Sequence, residues 1–162
     1  MDEARQAIRR LLEAHKTLTL ATCAGEEPWA TPVFYVSDHE LNLYFVSDRR
    51  TRHGHNLAAS GRAAGAIHGD CGSWADIRGV QLEGRVTVLE GMARLTALKQ
   101  FLSKFPDVGT LLERPKDTNE ATIASRLREA NVYKLSPDWI RMIDNSRSFG
   151  YKEEIRMRSP SS

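Results

Sequence analysis

Hydrophobic positions along the chain change their period several times, and each change marks an element. Ala4, Ala7, Ile8, Leu11 and Leu12 recur at helical spacing. Asp2 and Glu3 stand where carboxylates favour the positive end of the dipole, so the spacing predicts a short amphipathic helix over 3–15. From Thr17 the period drops to two. Leu18, Leu20 and Thr22 alternate with Thr17, Thr19 and Ala21, and residues 25–28 supply turn chemistry. Segments 29–36 and 41–47, rich in aromatic and β-branched residues, read as a second hairpin around the polar loop 37–40. Pro32 has no amide hydrogen to give a ladder, which confines it to an edge, a bulge or a stretch where pairing lapses.

Beyond Ser47 lies a polar, basic stretch in which Leu57, Ala58 and Ala59 predict a short helix delayed or broken by Gly54. Residues 62–69 and 77–91 read as strands, Gly79 and Gly84 marking bulges or close backbone approach. The expected total is five or six strands. Helical spacing returns over 92–105 through Leu95, Leu98, Leu102 and Phe105, stopped by Pro106. A further helix covers 119–130, with Ile123, Leu127 and Ala130 on one face behind a Thr118 or Asn119 cap. Residues 131–137 read as one strand and 138–144 as another; from Arg147 the chain is polar, with a frayed end. Strands gathered before helices, joined by tight turns, give an α+β class with an antiparallel barrel.

Composition bounds the partners. At 162 residues, without a linker-like tract, the chain is expected to be one domain with its core over about 8–152. Hydrophobic residues at 41% and charged residues at 27% are a globular balance. A net charge of +2 provides no global field for nucleic acid, so any anion site must be local. The charged N-terminus lacks the order of a secretion signal and no run approaches a membrane span, so a cytoplasmic protein without a membrane partner is the expectation. Cys23 and Cys71, far apart and outside any CxxC spacing, read as reduced and structural.

Candidate chemistry concentrates after the second hairpin. Ser47, Arg49, Arg50, Thr51, Arg52 and His53 place two hydroxyls, three guanidiniums and an imidazole beside a helix start, the groups a phosphate dianion needs. A solvated basic loop is the competing reading. On a period-two strand Arg78 and Gln81 face opposite sides; a Gln81 turned inward or to an interface needs an amide partner such as a heteroaromatic edge, whereas at the surface it needs none. Trp29, Phe34, Tyr35, Tyr44, Phe45 and Trp74 supply a core or the wall of a planar ligand site. His53 and His55 stand in an HxH spacing without supporting ligands, so no metal site is expected. No Walker loop, GxGxxG, HExxH or GxSxG is present, which removes the usual supports of phosphohydrolysis, dinucleotide binding, zinc proteolysis and acyl transfer.

The stretch from Ala21 to Leu57, with LTLAT before it, xxPVFY in its hairpin, a strand ending in a hydroxyl and a basic helix start, resembles the pyridoxamine-phosphate-oxidase-like FMN-binding family. The segments IRGVQLEGRV and SPDWIRMIDNSRSFGYK are similar to its YhbP-like branch, and the likeness covers roughly Ile8 to Lys152. The resemblance implies a six-stranded antiparallel split barrel forming a homodimer, with FMN in each of two interface clefts. Thr31, Pro32, Val33 and Phe34 match the ring-binding strand, while Ser47, Arg49, Thr51, Arg52 and His53 match the phosphate-binding stretch. Gln81 matches the family glutamine, and Trp139 and Arg141 match the C-terminal strand that closes the site. The arginine and histidine constellation by which full oxidases hold pyridoxine has no equivalent after Trp139, so that substrate is not expected. Two readings follow: an FMN-dependent oxidoreductase of unknown small-molecule substrate, or a non-catalytic flavin or haem carrier or sensor using the same cleft. Deazaflavin is an alternative cofactor, and for haem the ligand candidates are His53, His55 and His68.

Overall fold

Alternation decides which side of each strand is buried. In the computed structural model, which describes residues 2–157, Leu18, Leu20 and Thr22 of β1 (Thr17–Ala24) are buried while Thr17 and Thr19 are exposed. The same period holds along β2 (Glu27–Ser37), β3 (Leu43–Ser47), β4 (Arg62–His68) and β5 (Arg78–Val88). Strand β6 (Asn131–Asp144) and β7 (Lys152–Arg156) complete an antiparallel sheet in the order β3-β2-β1-β4-β5-β6-β7. Pairing of β3 with β6 then closes β1 to β6 into a six-stranded barrel, leaving β7 as an extra strand on β6. Five helices complete the fold: α1 (Asp2–Ala14), α2 (Arg52–Ser60), α3 (Gly91–Lys104), α4 (Pro106–Glu113) and α5 (Thr118–Glu129).

Helix α1 inserts Ile8, Leu11 and Leu12 into the barrel core. Its last carbonyls have no partners within the helix. Tyr35 Oη donates to Leu12 O at 2.7 Å, and Lys104 Nζ donates to His15 O at 2.6 Å while lying 4.3 Å from the Tyr35 ring centroid. Burial pushes the Tyr35 phenol up and the Lys104 ammonium down from their ordinary values. Phe105 joins the helical layer to the sheet, its ring 4.8 Å from Phe34 and 4.8 Å from Phe101.

Several expectations need correction. Residues 131–144 form one strand because Gly84 opposes Pro137 and Glu83 opposes Trp139, leaving Asp138 as the extra residue of a bulge. A Cβ on Gly84 would lie 2.1 Å from Ser136 O and 2.7 Å from Pro137 Cα, so only glycine lets the strands approach. Helix α2 runs through Gly54 instead of breaking there, since a Cβ at this position would lie 2.5 Å from the Arg49 carbonyl oxygen. Pro106 stops α3 but also starts α4, where its missing amide hydrogen costs nothing. The cap of α5 is Asp117, which accepts from Glu120 N at 2.7 Å, not Thr118 or Asn119. Strand β7 was not expected: its charged outer residues Lys152, Glu154 and Arg156 hide the alternation with half-buried Glu153 and Ile155. Cys23 and Cys71 are both exposed, which removes the structural role expected of them. Of the aromatics, Tyr35 and Phe45 are in the core, while Trp29, Phe34 and Trp74 are exposed. Pro32 fits the expected lapse, because β2 meets β3 only from Tyr35 onward and at Pro32 has β1 alone.

The expected fraying at the chain's end lies outside the described residues. No helix among the described residues is long and apolar enough to cross a membrane.

Gly84→Ala is expected to destabilise the barrel by about 2 kcal/mol, because the clash is with backbone that no rotamer change relieves. Gly72→Ala, whose Cβ would meet nothing within 4 Å, should change stability by at most about 0.5 kcal/mol. Urea unfolding of both variants checks this; equal midpoints would contradict the bulge argument.

Candidate active site

The outer face of the sheet carries two in-register rows. Pro32, Thr19, Ala66, Gln81, Arg141 and Glu154 lie directly opposite one another across successive strands from β2 to β7. One pleat away run Ala30, Ala21, Ala64, Glu83, Trp139 and Arg156. Short side chains on β1, β2 and β4 therefore make a flat floor three strands wide, bounded by Phe34 on one side and by Gln81, Trp139 and Arg141 on the other. From β2 to β5 the floor spans about 14 Å at the usual strand spacing. Its far wall is organised: Arg141 donates from Nε to Glu154 Oε1 at 2.8 Å and lies 4.8 Å from the Trp139 ring centroid. The Arg141 guanidinium holds the Glu154 carboxyl below its ordinary range.

At the barrel rim, β3 ends in Ser47 and the chain turns into α2. Thr51 caps the helix, its Oγ1 accepting from Gly54 N at 3.1 Å, so this hydroxyl is already engaged. The amides of Arg52 and His53, in the first turn, have no hydrogen-bond partner among the described residues. His53 is buried at 7% exposure, and its Nε2 lies 2.6 Å from Ser47 Oγ. Burial lowers its pKa from the ordinary value, keeping the imidazole neutral at pH 7. Arg52 reaches back to β2, with its guanidinium 4.6 Å from the Trp29 ring centroid and 3.4 Å from Glu27 Oε2. Asn56 Nδ2 donates to Thr22 Oγ1 at 3.0 Å, fixing α2 against β1.

The residues read from the sequence thus fall into two groups and a remainder. Pro32, Phe34, Gln81, Trp139 and Arg141 share the floor; Gln81 is at the exposed outer surface rather than in the barrel interior. Ser47, His53 and Arg52 gather at the rim. Arg52 lies over Trp29, which shares the inward parity of Thr31 and Val33, about 10 Å along β2 from Pro32 on the outer face. Thr31 and Val33 sit on the inward face of β2, opposite Leu20 and Leu18, so only their backbone is open to a ligand on the floor. Arg49 departs from the group: it lines a separate cleft of about 380 Å³ on the other side of α2, with His55, Val86 and Tyr133. Arg50 is held by Asp48, with Nη2 2.6 Å from Oδ2. Sequence reasoning missed Thr19, Ala64 and Ala66 as floor and Trp29 as the platform for Arg52. The signal was the run of small residues at alternate positions of segment 62–69, which looks like an ordinary weak strand until its neighbours are known.

The family model described as pyridoxamine 5'-phosphate oxidase matches residues 4–144. The UPF0306 protein YhbP of Salmonella arizonae is 31% identical over 147 residues, covering 90% of this chain and 88% of its own length. Among solved structures, a haem-binding protein from Mycobacterium smegmatis matches with TM-score 0.72 at 20% identity, over 94% of this chain and 57% of that one. An FAD-binding protein from Mesorhizobium loti matches with TM-score 0.64 at 14% identity, over 83% of this chain and 90% of that one. With a closed antiparallel barrel and a family match extending from α1 through β6, the chain belongs to the pyridoxamine 5'-phosphate oxidase family.

Proposed function

We propose that this chain binds FMN across the outer sheet face and acts as a flavin-dependent oxidoreductase on a small molecule, in a homodimer whose second copy covers the cofactor. The observation that carries the reading is the anion-competent start of α2 at the barrel rim, where Arg52 lies over Trp29 of β2, the strand whose other face carries Pro32 and Phe34 of the floor. Ser47, the amides of Arg52 and His53, unbonded among the described residues, and the Arg52 guanidinium form the donor set a phosphate dianion needs. A planar ring would rest on Pro32, Thr19, Ala64 and Ala66, against Phe34, with the Gln81 amide at its edge. When bound, the flavin supplies hydride or electron transfer, and the protein provides orientation and exclusion of water. No side chain at the floor need act as acid or base. The half-exposed Phe34 ring and the exposed floor support coverage by a second copy.

A haem on the same floor is the second reading, and His68 favours it. This residue follows Ala66 on the same outer face, and its Nδ1 lies 3.1 Å from Gly69 O. With the proton on Nδ1, the Nε2 lone pair is free for a metal. His53 is less suited because its Nε2 faces Ser47, and His55 lines the cleft beyond α2.

The visible spectrum of the purified protein with added FMN or haemin separates the readings, and turnover of a reduced nicotinamide with an acceptor separates enzyme from carrier. Arg52→Ala is expected to weaken FMN binding at least tenfold, since a charge-assisted phosphate contact is worth about 1.5–3 kcal/mol. Unchanged affinity by fluorescence titration would remove Arg52 from the site.

The His53 imidazole should titrate below the ordinary value of about 6.5 in the free protein. Its lowered folded-state pKa contributes stability present above that value and lost as pH falls through the folded pKa. A bound phosphate dianion favours the imidazolium, so the NMR titration midpoint should rise on adding FMN. A midpoint indifferent to saturating FMN would place the phosphate away from His53.

A further inference from the structure

Strand β7 lies beyond the residues that the family match covers, and it brings Glu154 onto the outer sheet face. In the row across that face Arg141 has two cross-strand neighbours, Gln81 on β5 and Glu154 on β7. Directly opposed side chains on one face start about 5 Å apart at Cβ, so the guanidinium can reach either. It takes the carboxylate. Nε and Nη2 of Arg141 lie 2.8 and 2.6 Å from Glu154 Oε1, and Trp139 Nε1 donates to Oε2 at 3.4 Å. With the guanidinium carbon also 4.8 Å from the Trp139 ring centroid, one carboxylate holds both residues of the far wall together. The Gln81 side chain, by contrast, makes no hydrogen bond among the described residues.

A guanidinium gains roughly twice as much from a carboxylate as from a neutral amide carbonyl, which is why Arg141 pairs with β7 and leaves β5. Without the carboxylate, the remaining cross-strand acceptor in the row is the side-chain carbonyl of Gln81. An arginine bonded there would occupy the amide that the flavin reading sets at the ring's edge and would lay its guanidinium over the border of the floor. We propose that Glu154 is a positioning residue of the sheet-face site: it holds the Arg141 guanidinium against Trp139 and off Gln81, keeping that amide open to the ligand ring. The inference rests on the flavin reading of the floor. Glu154 contacts no ring atom in it and acts only through Arg141. The two side chains are 31% and 41% exposed, so the pair is screened in the free protein and its effect on binding is modest.

Glu154→Ala is expected to weaken FMN binding about fivefold by fluorescence titration, and Glu154→Gln, which keeps an acceptor for Arg141, by less. The decisive comparison uses an Arg141→Ala background, where Glu154→Ala should have no further effect because no guanidinium remains to be held off Gln81. General loosening of β7 would instead weaken binding in both backgrounds. In the cofactor-free protein, Glu154→Ala should shift the Gln81 side-chain amide signals in the NMR spectrum, and no such shift should appear when it is added to Arg141→Ala. The proposal is overturned if Glu154→Ala leaves the FMN affinity or the Gln81 signals unchanged, or if its penalty persists once Arg141 is replaced. A parent chain that ignores FMN overturns the flavin reading instead, and the Gln81 signals then decide alone whether Glu154 holds Arg141 away.

Discussion

Pairing of β3 with β6 is the constraint on which the remaining architecture hangs. Strand β6 is held on both edges: residues 131–135 pair with β3, residues 133–144 with β5 and residues 139–143 with β7. Closure pairs the edges of β3 and β6 that an open sheet would expose to other chains. It also forces the fourteen-residue strand to bend, and the bend is taken up at the Gly84–Pro137 bulge.

Closure also locates the chemistry. Because Ser47 ends β3 opposite Asn131 of β6, the chain leaves the barrel at its rim and α2 must lie across that end. Gly54 lets the 48–51 turn fold onto the first turn of α2, and the Asn56–Thr22 hydrogen bond fixes the helix against β1. Arg52, at the start of α2, therefore stands over Trp29, on the strand whose other face carries Pro32 and Phe34. Opposite, the pairing of β5 with β6 brings Gln81 beside Arg141, residues sixty positions apart in sequence.

The helical layer is tied to the barrel by a small polar clasp as well as by aromatic packing. Lys104, at the end of α3, supplies donors for carbonyls at the end of α1, and Tyr35 supplies another from inside the sheet. Three elements distant in sequence thereby satisfy one another's unpaired groups, which sets α3 against β2 and places Phe105 on Phe34.

Local chemistry in the sequence was sufficient for much of this. Period two over 17–47 and 62–88, period 3.6 over 3–15 and 92–105, and the turn residues between them determined most elements and the α+β class, since alternation and helical spacing need only near neighbours. The phosphate-competent composition of 47–53 was equally legible, because its donors are contiguous. Tertiary structure alone decided that β6 is continuous, that β7 exists, and that Gly54 sits inside a helix, because each depends on a backbone approached from another strand or turn. It likewise separated Arg49 from Arg52, although only three positions part them, since the turn into α2 sends one to the far cleft and the other to Trp29. The floor of Thr19, Ala64 and Ala66 was invisible for the same reason: small side chains carry no signal of their own, and their meaning comes from the register that aligns them.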